Sequence, residues 1–244
     1  MRVAVIAMAA TLTCLAGARA EQMSVPFVGC PADGQAGPIA PPEGLPKVVT
    51  LRGVQAERVA YYKGAQSFGV FAPRGWHCRV LYGSSGSSIV VSPTSLDPSE
   101  FPPSKIHDQA IELVYLDGGT SGRFPVAIYA SRLFPKLAVE FVARVKSEGI
   151  KTASEFERGP YTNESVTYPA KGVAKFVTPA NGMGLGTEGM LAPTQDAVHG
   201  IAALQMSGDW GISVLRVRLR PGMHDLETVI MRLNQSCVGS ANGC

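Results

Sequence analysis

The 244 residues carry 22 Lys and Arg against 19 Asp and Glu, with 17% charged and 45% hydrophobic side chains. So even a balance, with its basic residues scattered, excludes a protein built to hold nucleic acid or another polyanion. Beyond the N-terminus no run approaches the ~18–20 apolar residues that a membrane-spanning helix needs.

The first twenty residues read as a secretory signal peptide. Arg2 opens it, an apolar stretch follows over 3–16, and Ala18-Arg19-Ala20 supplies a small-x-small cleavage site, so cleavage is expected after Ala20. Cys14, preceded by Thr11-Leu12-Thr13, lacks the context of a lipid-anchored cysteine. The expectation is release into the periplasm or the medium of a bacterium. Taking away Arg2 and Arg19 leaves 20 basic residues against 19 acidic ones over 224 residues, enough chain for a substantial core. The divisions expected are 1–20 signal peptide, 21–46 extended Pro/Gly-rich arm and 47–244 a single α+β domain.

Four cysteines survive cleavage: Cys30, Cys78, Cys237 and Cys244. In an oxidising compartment an even set reads as two disulfides, for which three pairings are open. The preferred pairing joins Cys30 to Cys78, tying the arm to the domain, and Cys237 to Cys244, closing a small tail loop. No C-x-x-C motif and no two histidines at ligand spacing argue for a metal, so none is expected, and no cofactor either.

Strands are expected over 47–51, 76–82 and 88–92. The last two form a hairpin about Gly83-Ser84-Ser85-Gly86, closed by Pro93. Alternation puts Trp76, Cys78 and Val80 on the core face, with His77, Arg79 and Leu81 opposite. Residues 55–63 read as a helix, with Val59 and Tyr62 three apart and Gly64 as its stop. Proline makes 95–104 a loop. Two strands, 110–117 and 123–131, are expected to form a second hairpin, with Pro125 at the start or edge of the second. A helix over 136–148 shows Leu137, Phe141 and Val145 at four-residue steps and ends at Gly149. Extended pieces follow over 166–178, a Gly-rich loop over 179–193, and strands over 198–206 and 211–219. In the last strand Ser213, Leu215, Val217 and Leu219 read as the core face, with Ile212, Val214, Arg216 and Arg218 opposite. A closing helix spans 222–235, with Met223, Leu226, Ile230 and Leu233 as its stripe and Asp225 and Glu227 near its positive end. The fold class expected is α+β: a mainly antiparallel sheet built from hairpins and covered by two or three helices.

Three stretches carry a likeness: Arg74-Gly75-Trp76-His77-Cys78 with Tyr82-Gly83-Ser84-Ser85-Gly86, then Thr178-Pro179-Ala180, and Gly184-Leu185-Gly186-Thr187. Together they resemble exported bacterial proteins of no assigned function. The resemblance implies an envelope setting and supplies no catalytic residues.

Motifs with chemical meaning are few. Ser84, Ser85 and Ser87 beside His77 could serve a secreted serine hydrolase, with His107 or His199 as other bases. A G-x-S-x-G elbow would need glycine where Ser87 stands, and would lead into a helix. Gly184-Leu185-Gly186-Thr187-Glu188-Gly189 matches G-x-G-x-x-G, but Pro179 and Pro193 deny it the strand and helix that a dinucleotide site requires, so it reads as a flexible surface loop. Glu155 and Glu157 read as exposed acids beside Lys151 and Arg158. Asn163-Glu164-Ser165 and Asn234-Gln235-Ser236 match a glycosylation pattern that a bacterial leader makes irrelevant. The expectation is therefore a non-catalytic binding or structural envelope protein, with Trp76, Tyr82 and Trp210 on a concave sheet face as the first place to seek a ligand. Its partner would be another envelope or extracellular molecule.

Overall fold

The computed structural model describes residues 20–97, 100 and 103–238. The leader, Cys244 and the proposed tail loop lie outside them. The N-terminal arm forms β1 (Glu21–Val25), β2 (Phe27–Cys30) and β3 (Ala32–Gly34). Next come β4 (Lys47–Leu51), a one-turn α1 (Gly53–Ala56), β5 (Val59–Gly64) and β6 (Val70–Pro73). The hairpin β7 (His77–Gly83) and β8 (Gly86–Ser92) leads to β9 (Ala110–Asp117), α2 (Arg123–Leu133) and α3 (Val139–Ser147). The chain closes with the hairpins β10 (Ser165–Ala170) with β11 (Val173–Thr178) and β12 (Val198–Gln205) with β13 (Gly211–Arg218), then α4 (His224–Val238).

Eight strands make one sheet in the order β10-β11-β12-β13-β9-β8-β7-β3. A three-stranded sheet, β2-β5-β6, and the ribbon β1-β4 complete the β structure. The architecture is α+β, yet its sheets are mixed: β2 runs parallel to β5 and β3 parallel to β7. The arm therefore does more than lie on the surface, because it contributes a strand to each of three sheets.

The central strands of the large sheet are buried on both faces. Val80, Ile89, Ile111, Leu113, Leu215 and Val217 pack with α4 and the small sheet. Phe176, Ala202, Leu204, Ile212 and Val214 pack on the other side under α2 and α3. Two expectations fail for this reason. Residues 123–131 are helix, and Pro125 sits in the first turn, where a missing N–H costs nothing. Phe124, Val126, Ala127, Ala130, Ser131 and Leu133 are all buried, so the helix shows no polar face to betray its period. Residues 59–64 are a strand, not a helix, with Val59, Ala60, Tyr61 and Tyr62 buried side by side on both faces. Strand β13 corrects a third: its Arg216 and Arg218 face is as buried as the other.

The remaining elements stand close to where the sequence puts them. Val80 and Cys78 do point into the core, and β8 ends at Ser92 before Pro93. Helix α3 begins three residues later than expected, leaving Leu137 partly exposed in the preceding turn, and Gly149 takes φ +68° past its end. The Cys30–Cys78 disulfide is present, with its Cα atoms 5.4 Å apart. Cys237 is disulfide-bonded as well. Among the described residues no helix is long and apolar enough to cross a membrane.

Candidate functional site

The densest set of ionisable groups lies between β9, β13, α2 and the 179–193 segment. Arg216 and Glu112 are direct cross-strand partners in the β13–β9 ladder. The guanidinium donates to Glu112 Oε2 at 3.0 Å, to the Leu185 carbonyl at 2.6 Å and to the Tyr129 hydroxyl at 2.5 Å. Glu112 also accepts the Met190 N–H at 3.0 Å. Tyr161 donates to Glu188 at 2.5 Å, and the Arg132 guanidinium lies over the Tyr161 ring, 4.1 Å from its centroid. Thr178 donates to Glu164 Oε1, which also accepts the Leu185 N–H at 2.6 Å.

The environment shifts four of these groups. Burial drives the Tyr129 phenol far up, and Arg216 only partly counters it. Burial, then Glu188, pushes Tyr161 up to about 12. Burial opposes the charge on Arg216, but Tyr129, Glu112 and Glu188 outweigh it and hold the guanidinium protonated. Burial raises Glu164 above the usual carboxylate range, against the hydrogen bonds from Thr178 and Leu185. Such shifts commonly mark active sites. Here Arg216 is 0% exposed and Glu112 2%. Gly184, Leu185, Gly186 and Thr187 form a buried lid over them. A Cβ at Gly189 would overlap Glu112 and come within 2.5 Å of Arg216, so glycine is what lets the backbone close down. The G-x-G-x-x-G stretch is thus a packed closure, not a flexible surface loop.

The serines proposed for hydrolysis have other duties. Ser85 Oγ pairs with Ser121 Oγ at 2.9 Å, the Ser84 N–H donates to Gln35 at 2.8 Å, and the Ser84 carbonyl accepts from Thr120. Ser87 stands in the ladder opposite Tyr82 and Tyr115. His77 pairs with Ser92 at the far end of the same hairpin. Seven residues of strand put roughly 23 Å between it and Ser84. His107 is exposed, and His199 lies on β12 with Nδ1 3.1 Å from Glu227, beside a different cleft. No described hydrogen bond joins a histidine to Ser84, Ser85 or Ser87.

The three aromatics part company. Trp210 stacks on Phe141, centroids 4.7 Å apart and planes at 6°, within the core under α2 and α3. Trp76 and Tyr82 pack on the opposite side of the sheet. The Tyr82 hydroxyl donates to the Gly37 carbonyl at 2.6 Å, fastening the turn between β3 and Ile39. Tyr82 lines one cleft together with Ser84, Ser85 and Ser87, and the partly exposed Trp76 lines another. That cleft, about 600 Å³, is walled by Pro31, Pro38, Ile39, Trp76 and Leu96, with His77 at its margin. At its base Arg79 lies 3.6 Å from Asp33 and donates to the carbonyls of Asp97 and Glu100 at 2.5 and 3.2 Å. The two walls, arm and hairpin, are joined by Cys30–Cys78.

Tyr62 places Trp76, and sequence reasoning missed it. Its hydroxyl accepts the Trp76 N–H at 3.1 Å and donates to the Pro73 carbonyl at 2.7 Å. Burial holds its phenol above the usual range, so it stays a neutral donor. Read as part of a helix, Tyr62 gave no signal of that role. Glu155 and Glu157 pair with Lys151 and Arg132 at 2.9 and 3.0 Å. Asn234 is buried and inaccessible to any modifying enzyme. Among the described residues no cluster of three or more His, Cys, Asp or Glu could hold a metal ion. Comparison with known proteins found no matching family model, no matching curated protein and no matching solved structure.

Proposed function

We propose that this chain is an exported, non-catalytic binding protein of the bacterial envelope, and that its ligand lies against Trp76. The observation that carries the reading is the Trp76 cleft itself: a partly exposed indole in an apolar groove whose two walls are covalently joined. Aromatic and apolar linings with a few polar groups are what ligand clefts generally use, and a pre-organised groove spends less affinity on ordering. His77 at the margin and the Asp33–Arg79 pair at the base give the ligand a polar end to meet. The ionic cluster under the Gly-rich segment is the weaker candidate, because most of its hydrogen-bonding groups already hold one another.

The test is retention. Envelope extract passed over immobilised mature protein should yield a partner that Trp76→Ala fails to hold and that His107→Ala, away from the cleft, still holds. Equal retention by Trp76→Ala would overturn the proposal. So would labelling by a fluorophosphonate probe that is lost in Ser85→Ala, since that would show an activated hydroxyl.

A further inference from the structure

The opposite edge of the large sheet carries a second groove. Strand β10 is the outermost strand there, while the Trp76 cleft adjoins β7 and β3 at the other edge. The groove, about 420 Å³, is lined by Leu133, Phe134, Leu137, Tyr168 and the turn at Gly172. Phe134 and Tyr168 meet edge to face with centroids 6.2 Å apart. Tyr168 is 53% and Leu137 37% exposed, unusual for side chains of their size.

Two lysines also line it, Lys136 from the turn before α3 and Lys171 from the β10–β11 turn. Among the described residues no acidic side chain lines the groove. Neither lysine pairs with a carboxylate among the described residues. Two unspent cations at the rim of an apolar trough call for a ligand with an apolar body and an anionic end. Strand addition is disfavoured at this edge: Pro169 lacks a donor, and the β10–β11 register breaks between Thr167 and Ala170, devices that blunt a sheet edge. The geometry points to a binding site for a single-chain anionic amphiphile, a long-chain fatty acid, with its chain along Phe134, Leu137 and Tyr168 and its carboxylate at Lys136 and Lys171. This site is independent of the Trp76 cleft and does not rest on that proposal.

Displacement of cis-parinarate by saturated fatty acids tests it, at concentrations below micelle formation. Dodecanoate should bind one per chain, and octanoate, decanoate and dodecanoate should tighten by about fourfold per added methylene, the value of burying one CH₂. The charge-reversed Lys136→Glu/Lys171→Glu protein should bind dodecanoate at least tenfold more weakly while binding dodecanol within twofold of the parent. Leu137→Asp should weaken both. All these positions are exposed, and an unchanged melting curve would establish that the variants fold. Absence of saturable dodecanoate binding would overturn the inference. So would equal weakening of acid and alcohol by the lysine reversal, or sedimentation with phosphatidylglycerol vesicles without any binding of monomeric dodecanoate, which would make the patch a bilayer-docking surface.

Discussion

Glu112→Ala is the sharpest test of how the Gly-rich segment is held down. The substitution removes the one carboxylate bonded to Arg216 and also the acceptor of the Met190 N–H. Leaving a buried charge without its partner costs roughly 3–5 kcal/mol. Two groups temper that figure, since Arg216 keeps the Leu185 carbonyl and the Tyr129 hydroxyl. The orphaned N–H adds about 1 kcal/mol or more in the other direction. The expected loss is therefore at the lower end, about 3–4 kcal/mol. In a domain of this size that lowers the midpoint by roughly 6–16 °C. Differential scanning calorimetry on the oxidised protein measures it, and limited proteolysis should show new cleavage within residues 179–193 at temperatures well below that midpoint. The double variant Glu112→Leu/Arg216→Met removes both charges together and should lose less than the sum of its single changes by about 1–3 kcal/mol, the range of coupled neighbours. A midpoint drop under roughly 3 °C for Glu112→Ala, or additivity within about 0.5 kcal/mol, would refute the claim that this pair anchors the segment.

Three further outcomes are expected. Cys78→Ser opens a bridge between residues 48 apart, which loop-closure entropy values at about 4 kcal/mol; urea midpoints of parent and variant measure it, and thiol titration of the denatured, unreduced mature parent should find no free sulfhydryl. Asn234→Ala should cost about 2–4 kcal/mol, because the Asn234 side chain both accepts the Phe71 N–H and donates to the Phe71 carbonyl, each at 2.8 Å, and so completes the edge strand β6. Burial raises Glu164 above the usual carboxylate range, so the native state takes up that proton at higher pH than the unfolded chain. Its contribution to stability is present below the unfolded value and is lost as pH rises through the folded one. Glu164→Gln should accordingly flatten the pH dependence of the urea midpoint across that window, and an unchanged slope from pH 4 to 8 would contradict the assignment.

What the sequence reveals about the fold follows from turn chemistry and from how each element is buried. Strands β7 and β8 are recognisable because β-rich runs flank a Gly/Ser turn and Pro93 follows them, not because their burial alternates. Helices α3 and α4 cover the sheet with one side and show a clear stripe. Strand β5 is buried on both faces and helix α2 has no fully exposed face, so neither a 3.6 nor a 2.0 period survives, and local residue preference pointed each to the wrong state. The same rule hid Arg216: parity assigns arginine to solvent, and its partner Glu112 lies 104 residues away. One residue of the proposed site was legible: Trp76 beside Cys78 lines the cleft proposed above, whereas Trp210 packs in the core and the Tyr82 hydroxyl fastens a turn. Tyr62 was invisible because its own strand was misread.

The Gly-rich segment also explains why the most perturbed groups in this protein are poor candidates for chemistry. Residues 179–193 form neither helix nor strand, yet lie against the sheet, and buried main-chain groups must find partners. The protein supplies them from side chains. Glu164, Thr178 and Glu112 accept the N–H groups of Leu185, Gly186 and Met190. Arg216, Lys105 and Arg218 donate to the carbonyls of Leu185, Thr187, Gly189 and Ala192. An ionised group that satisfies a backbone amide here is already engaged, and the raised Glu164 records burial first, not readiness to exchange a proton. A functional group needs capacity left over. By that criterion the partly exposed Trp76 indole and the two lysines at the far sheet edge are side chains with interactions still to make.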